Sequence, residues 1–377
     1  MNKAVRISLK ILLGLFLFII VLIITVPILF KDKIRTKVEQ IITQSVNANV
    51  SFKDYKLGFF RDFPNLSFSL DNISVVGIDK FEKDTLATVK SLNLVFNLAS
   101  LFKKTGYEIK SIIVDEATVK TIVLQDGSEN WDIIKETDEV TDEEESSDMK
   151  IFLRKVVILN SSISYIDHES SIETYLNKVD SEITGDMTLS ETDLRIAITA
   201  GELTYIMDGM KYLNKAVADS KMDVLANLDT WKFTFRENYL TVNDFTVNFS
   251  GWVAIPEDDI EMDLLYKSDQ TSFKTLLSLI PAIYMTDYKD LKATGDFSLS
   301  GSAKGIYSDA DSTMPDISLN LKVSNGLISY PALPEQIKNI NLKSDIFIDG
   351  RDMDKTVVNV EAFHMELAGN PFDMTLV

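Results

Sequence analysis

The chain has 377 residues, more than one compact domain usually holds, and 57 Asp and Glu against 38 Lys and Arg give a formal charge of -19. Such a charge repels phosphate backbones, and no basic patch interleaved with aromatics offsets it, so no nucleic-acid partner is expected. The absence of cysteine rules out disulfides, thiolate nucleophiles and Cys-based zinc sites, and leaves burial and strand pairing to supply stability.

The first element is apolar. Residues Ile11 to Phe30 contain no charge and are interrupted only by Gly14, Thr25 and Pro27. As a helix rising about 1.5 Å per residue they reach roughly 30 Å, the thickness of a hydrocarbon core. No small-x-small cleavage site follows Phe30, so the segment reads as an uncleaved signal anchor. Lys3, Arg6 and Lys10 precede it and Lys31, Lys33, Arg35 and Lys37 follow, which leaves the positive-inside rule undecided. A long hydrophilic C-terminal part is translocated regardless of flanking charge, so the N-terminus is expected in the cytoplasm and the body outside it.

Next, Ile34, Val38, Ile41 and Ile42 recur at helical spacing among charged residues. They predict an amphipathic helix of about three turns that covers the end of a sheet or lies at the membrane interface. From Ser51 the period changes to 2. Leu66, Phe68 and Leu70 alternate with serines, and Leu92, Leu94 and Phe96 form a second run. Later runs include Phe233 and Phe235, then Phe245, Val247 and Phe249. Ile317, Leu319, Leu321 and Val323 make another, and Phe363, Met365 and Leu367 the last. Such alternation marks antiparallel strands with one apolar and one wet face.

Turns are expected at Asp126-Gly127, Asp208-Gly209, Asn325-Gly326 and Asp349-Gly350. Ile109 to Asp126 and Val156 to Asp167 suggest a loose repeat of apolar run, polar turn and second run. Two stretches depart from the strand pattern. Thr137 to Asp148 is almost wholly acidic and polar, as in a solvated loop; it lacks the spacing and glycine turn of a calcium-binding hand. Phe273, Leu276, Leu277 and Ile280, stopped by Pro281, form a short helical stripe that packs on or caps a sheet.

Little points to bond chemistry. His168 and His364 are far apart, and each is expected on a loop or strand surface. There is no Gly-x-Ser-x-Gly, Walker loop or dinucleotide fingerprint. Carboxylate pairs such as Asp258 and Asp259 arise by chance among so many acids, and Trp131, Trp231 and Trp252 read as core or sheet-face residues. No enzyme activity, cofactor or metal is expected.

The order of elements resembles the N-terminal part of the AsmA family of bacterial envelope proteins, the relatives of TamB and YhdP. The anchor and helix come first, followed by Phe63-Pro64-Asn65-Leu66-Ser67-Phe68-Ser69-Leu70, similar to a family strand. Ile109 to Ile134 follows, with Asp126-Gly127 and Asn130-Trp131, and then Leu291-Lys292-Ala293-Thr294-Gly295 with Phe297, Leu299, Gly301 and Gly305. The resemblance implies a mainly β fold: an N-terminal transmembrane helix, then an elongated, twisted antiparallel sheet curled into a groove, with short capping helices.

On that reading the chain divides into a cytoplasmic stub and anchor (1-30), an amphipathic helix and first β section (31-136), an acidic linker (137-149) and a continuing β-groove section (150-377). Members of the family are commonly longer, and a chain stopping at Thr375-Leu376-Val377 within an apparent strand is read as a fragment or truncated copy. The implied partners are the lipid bilayer, phospholipid acyl chains and outer-membrane or envelope proteins. The implied role is intermembrane phospholipid transport from the bacterial inner membrane; a non-conducting factor for outer-membrane protein insertion is the alternative. Leu66, Phe68, Leu70, Leu92, Leu94 and Phe96 are the candidate lipid-facing residues, because period 2 puts each set of three on one surface. An ordinary closed core gives the same alternation.

Overall fold

The computed structural model describes residues 31-58, 65-97, 100, 107-135, 151-256, 259-268, 271-277, 291-308, 311, 313-330 and 334-376. The anchor Ile11 to Phe30, the linker 137-149, and Ile280 with Pro281 lie outside them. Among the described residues no helix is long and apolar enough to cross a membrane. The described chain is mainly β, and its strand pairings are antiparallel with few helices between them. It forms two compact units, 1-118 with 129-151 and 119-128 with 152-377.

In the first unit, β1 (Asn49–Ser51) and β2 (Asp54–Gly58) share one edge of β3 (Asn65–Val76), and β4 (Thr85–Asn97) takes the other. Helix α1 (Lys31–Ser45) is a turn longer than its apolar spacing predicts. Val38 and Ile42 pack against a core of Phe52, Tyr55 and Leu70. This is the sheet-covering arrangement, and it uses only part of the stripe: Ile41 is 51% exposed. Arg35 fastens the helix. Its guanidinium lies 5.2 Å from the Phe52 ring centroid, donates to the carbonyls of Phe52 and Lys53 at 3.3 and 3.4 Å, and pairs with Glu39.

Strand β5 (Tyr107–Val123) leads from the first unit into the second, where β6 (Ile151–Leu153) is followed by a long meander. It comprises β7 (Lys155–Asp167), β8 (Ile172–Thr184), β9 (Glu191–Met207), β10 (Met210–Asn227), β11 (Lys232–Val242), β12 (Phe245–Ala254) and β13 (Ile260–Lys267). After β14 (Thr271–Ser272) and helix α2 (Phe273–Leu277) it continues as β15 (Lys292–Tyr307), β16 (Asp316–Ser329), β17 (Ile337–Ile348), β18 (Val357–Leu367) and β19 (Asn370–Leu376). The expected stripe at Phe273 thus begins a single helical turn whose Phe273 joins the core on the sheet.

Two expected turns are in fact hairpin connections. Asp208 and Gly209 both have positive φ, 51° and 74°, and close β9 to β10; Asp349-Gly350 lies between β17 and β18. Asn325-Gly326 is a correction. It lies inside β16, where Asn325 at φ 51° makes a bulge against β17. The suggested repeat is corrected similarly, since its polar breaks fall at Glu116 and Asn160, left-handed residues within the continuous strands β5 and β7. An Asn or polar residue that tolerates left-handed backbone serves a bulge as well as a turn.

Bulges bend the second unit's sheet in a line. Asn160, Lys178 and Lys215 have positive φ on β7, β8 and β10, and beside them Ser161, Val179, Ala200 and Ala216 are buried. Small side chains fit the inside of that bend. At several bulges a freed backbone N–H finds a side-chain acceptor on a neighbouring strand or turn: Asp180 Oδ1 for Asn160 at 2.8 Å, Thr204 Oγ1 for Lys215 at 3.2 Å and, from the β11–β12 turn, Asn243 Oδ1 for Val217 at 3.0 Å. Asn238 Oδ1 does this for Asp223 at 2.7 Å, and Asn341 Oδ1 for Asn325 at 3.0 Å.

Candidate functional site

All six candidate residues lie on one face of β3 and β4, directly opposed in pairs: Leu66 with Phe96, Phe68 with Leu94 and Leu70 with Leu92. Directly opposed apolar pairs on one face are the contacts that stabilise a sheet. Their surroundings differ. Leu70, 8% exposed, belongs to the core under α1, and Phe68 and Leu92 pack against it. Leu66, Leu94 and Phe96 are half-buried and lie outside that cluster. On the other face Ser67 and Val95, themselves opposed, are buried.

The larger apolar surface belongs to the second unit. One row of register partners begins at Val156 and Ile183 and passes through Ile196, Met222, Asn238 and Phe249. It continues through Tyr266, Gly301, Leu319, Ile346 and Val358. Neighbouring rows share this composition, and from β8 to β19 the register places no charged residue on that face. Most of these side chains are half-buried, and Leu240 is 43% exposed. In a sandwich the inner faces interdigitate into a buried core. Here the apolar face is open over much of its length.

Polar groups on this face are internally satisfied. Asn238, buried, accepts from Asp223 N–H and donates to the Phe249 carbonyl at 3.4 Å. The Tyr266 hydroxyl crosses Gly301 and donates to the Ser318 carbonyl at 2.6 Å, and burial raises its pKa. A Cβ at Gly301 would collide with that ring and carbonyl, so glycine is required for this close approach.

The opposite face carries the charge. Lys155 pairs with Glu182, Lys304 with Asp263, Lys343 with Glu361, and Glu202 lies between Lys178 and Lys215. Hydrogen bonds from those two lysines lower the Glu202 pKa. These pairs are solvent-exposed and add little stability, but they make one face wet. His364, on this wet face of β18, has Nδ1 2.7 Å from Asp373 Oδ1; His168 is in the exposed loop after β7.

Two depressions indent the apolar face. The first, of about 350 Å³, lies over β8 to β12 and includes Leu176, Ile198, Ala218, Leu240 and Phe249. The second, of about 360 Å³, lies over β15 to β18 between Phe297, Leu321, Leu342 and Phe363, with Phe273 of α2 above it. Period 2 could have revealed these rows, but not the depressions, which depend on register between distant strands.

The second unit is thus an antiparallel sheet with one charged face and one open, hydrocarbon-like face. The chain belongs to the AsmA family, whose model matches residues 1–249. No curated protein and no solved structure matches it.

Proposed function

We propose that the protein is an envelope-associated carrier of phospholipid acyl chains, held at the bacterial inner membrane by Ile11 to Phe30 with its body on the periplasmic side. It performs no bond chemistry, and contributes to outer-membrane biogenesis by moving lipid along its apolar face. The observation that carries this reading is the uncharged, half-exposed face of β8 to β19. Leaving such a surface in water is costly, at about 25 cal/mol per Å² of apolar area, and acyl chains remove that cost while their headgroups remain hydrated. AsmA-family membership supports the envelope setting.

The test is to purify the full chain from membranes in mild detergent and to measure co-purifying phospholipid by mass spectrometry. Phospholipid retained through washing and released on unfolding is expected. A folded, lipid-free protein that still associates with outer-membrane assembly factors would favour a non-conducting assembly role instead.

A further inference from the structure

We infer that the apolar face of the second unit holds phospholipid in two discrete seats, one over β8 to β12 and one over β15 to β18, each taking a single acyl chain from a different lipid molecule. This rests on the lipid-carrying reading above and specifies its occupancy. A cavity of about 150 Å³ holds a six-carbon ring, so depressions of about 350 and 360 Å³ each accommodate roughly fourteen chain carbons. That is the body of one acyl chain, and two chains side by side would not fit.

The linings select a hydrocarbon. Every side chain around the second seat is apolar. A peptide laid there would leave backbone amides without partners, at a cost an alkyl chain does not incur. The one polar side chain that the register directs into the first seat is already engaged, since Ser220 donates to the Tyr239 carbonyl at 2.7 Å; Asp219 beside it is on the opposite face, where it accepts from the Tyr239 hydroxyl at 2.8 Å. Both depressions open to solvent along the face, which leaves a headgroup in water.

The seats are separate. From β10 in the first seat to β16 in the second there are five strand spacings, roughly 24 Å along the sheet, while their nearest strands, β12 and β15, are two spacings apart, roughly 10 Å. Where they come nearest, Phe245 of β12 is buried against Phe297, which lines the second seat, with ring centroids 6.0 Å apart, so packed rings fill the face there. On the apolar face between the seats Asn238 and Tyr266 spend their hydrogen bonds on backbone groups, and the depression of about 1040 Å³ that spans β11 to β16 is lined mainly by opposite-face residues such as Arg236, Asn248 and Lys267. A single lipid with splayed chains would have to lay its glycerol across the packed Phe245 and Phe297 rings, so the seats are assigned to two molecules.

The full chain, reconstituted in phosphatidylcholine vesicles doped with a phospholipid carrying a diazirine at the end of one acyl chain, is irradiated and its crosslinks are mapped by peptide mass spectrometry. Two clusters are expected, on β8 to β12 and on β15 to β18. Leu240→Trp should lower crosslinking in the first cluster by about tenfold, the worth of excluding about two methylene groups, and leave the second unchanged. Leu342→Trp should do the reverse. Leu240 is 43% exposed and Leu342 half-buried at the edge of its seat, and if either tryptophan abolishes the melting transition, Leu240→Phe and Leu321→Phe carry the same readout with less added bulk. Crosslinks spread evenly from β8 to β18, or both clusters emptied by one substitution, would overturn the two-seat assignment while leaving lipid binding intact. A folded protein with no crosslinks anywhere would instead sink the lipid-carrying reading itself.

Discussion

Replacing Phe96 by aspartate separates an open apolar face from a closed core in the first unit. Phe96 is half-buried and faces Leu66 across β3 and β4, whereas Leu70, two pairs along the same face, is 8% exposed beneath α1. Truncating a fully buried Phe costs about 3–5 kcal/mol, so losing a half-buried ring costs about 2, and the poorer strand propensity of Asp adds up to about 1. The carboxylate at this position stays hydrated and needs no partner. At about 2–4 °C per kcal/mol for a unit of this size, Phe96→Asp should lower Tm by roughly 4–12 °C and leave a cooperative transition. Leu70→Asp places an unpaired charge in the core under α1, a mechanism that produces losses beyond about 4–5 kcal/mol, and should remove the transition of this unit. Differential scanning calorimetry of both variants, with bound phospholipid measured on the same samples, makes the comparison. Phe96→Asp should be folded and lose only the lipid in contact with β3 and β4, with the phospholipid of the second unit retained. Collapse of both variants alike would refute the reasoning, because Phe96 would then be a core residue.

Other expectations follow from single contacts. Asn238→Ala removes the buried acceptor of the Asp223 N–H at a bulge, a part-buried hydrogen bond whose loss should destabilise the second unit by about 1 kcal/mol in chemical unfolding, and Asn238→Leu should not restore it. The hydrogen bond to Asp373 raises the pKa of His364 above its ordinary value of 6.5, with the nearby charges of Asp373 and Glu366 adding and burial opposing. Its stabilising contribution is therefore complete below the unfolded-state pKa and is lost as pH rises through the higher folded-state value. Amide exchange in β19 should accelerate over that interval, and His364→Gln should flatten the response. A phosphatase fused to the C-terminus should be active if the body is exported; an inactive phosphatase with an active cytoplasmic reporter at the same place would reverse the orientation.

The period-2 runs made the strands legible: the alternating sets at Leu66, Leu92, Phe245, Ile317 and Phe363 fall on β3, β4, β12, β16 and β18. Their partners were not legible, because register is a relation between strands that no local window contains. Thus the alternation put Leu66, Phe68 and Leu70 on one surface, while only the structure opposes them to Phe96, Leu94 and Leu92. Helix α1 shows the same limit: a stripe that includes Val38, Ile41 and Ile42 is visible in sequence, but the sheet beneath accepts Val38 and Ile42 and leaves Ile41 in water.

Asn325-Gly326 and Asn160 show where local chemistry misleads. Left-handed backbone at Asn is equally good for reversing a chain and for bulging a strand, and what decides is whether the residues beyond find a partner strand to continue along. At Asn325 they do, and Asn341 of β17 supplies an acceptor for the N–H that the bulge frees. The acceptors at Asp180, Thr204, Asn238 and Asn243 do the same elsewhere, so these bends of the sheet are held by side chains of adjoining strands and of the β11–β12 turn. A sandwich and an open sheet share period 2, and composition cannot separate them. Polar plugs at the bulges can, because a sheet bent by its own bulges needs no second sheet packed on its apolar face.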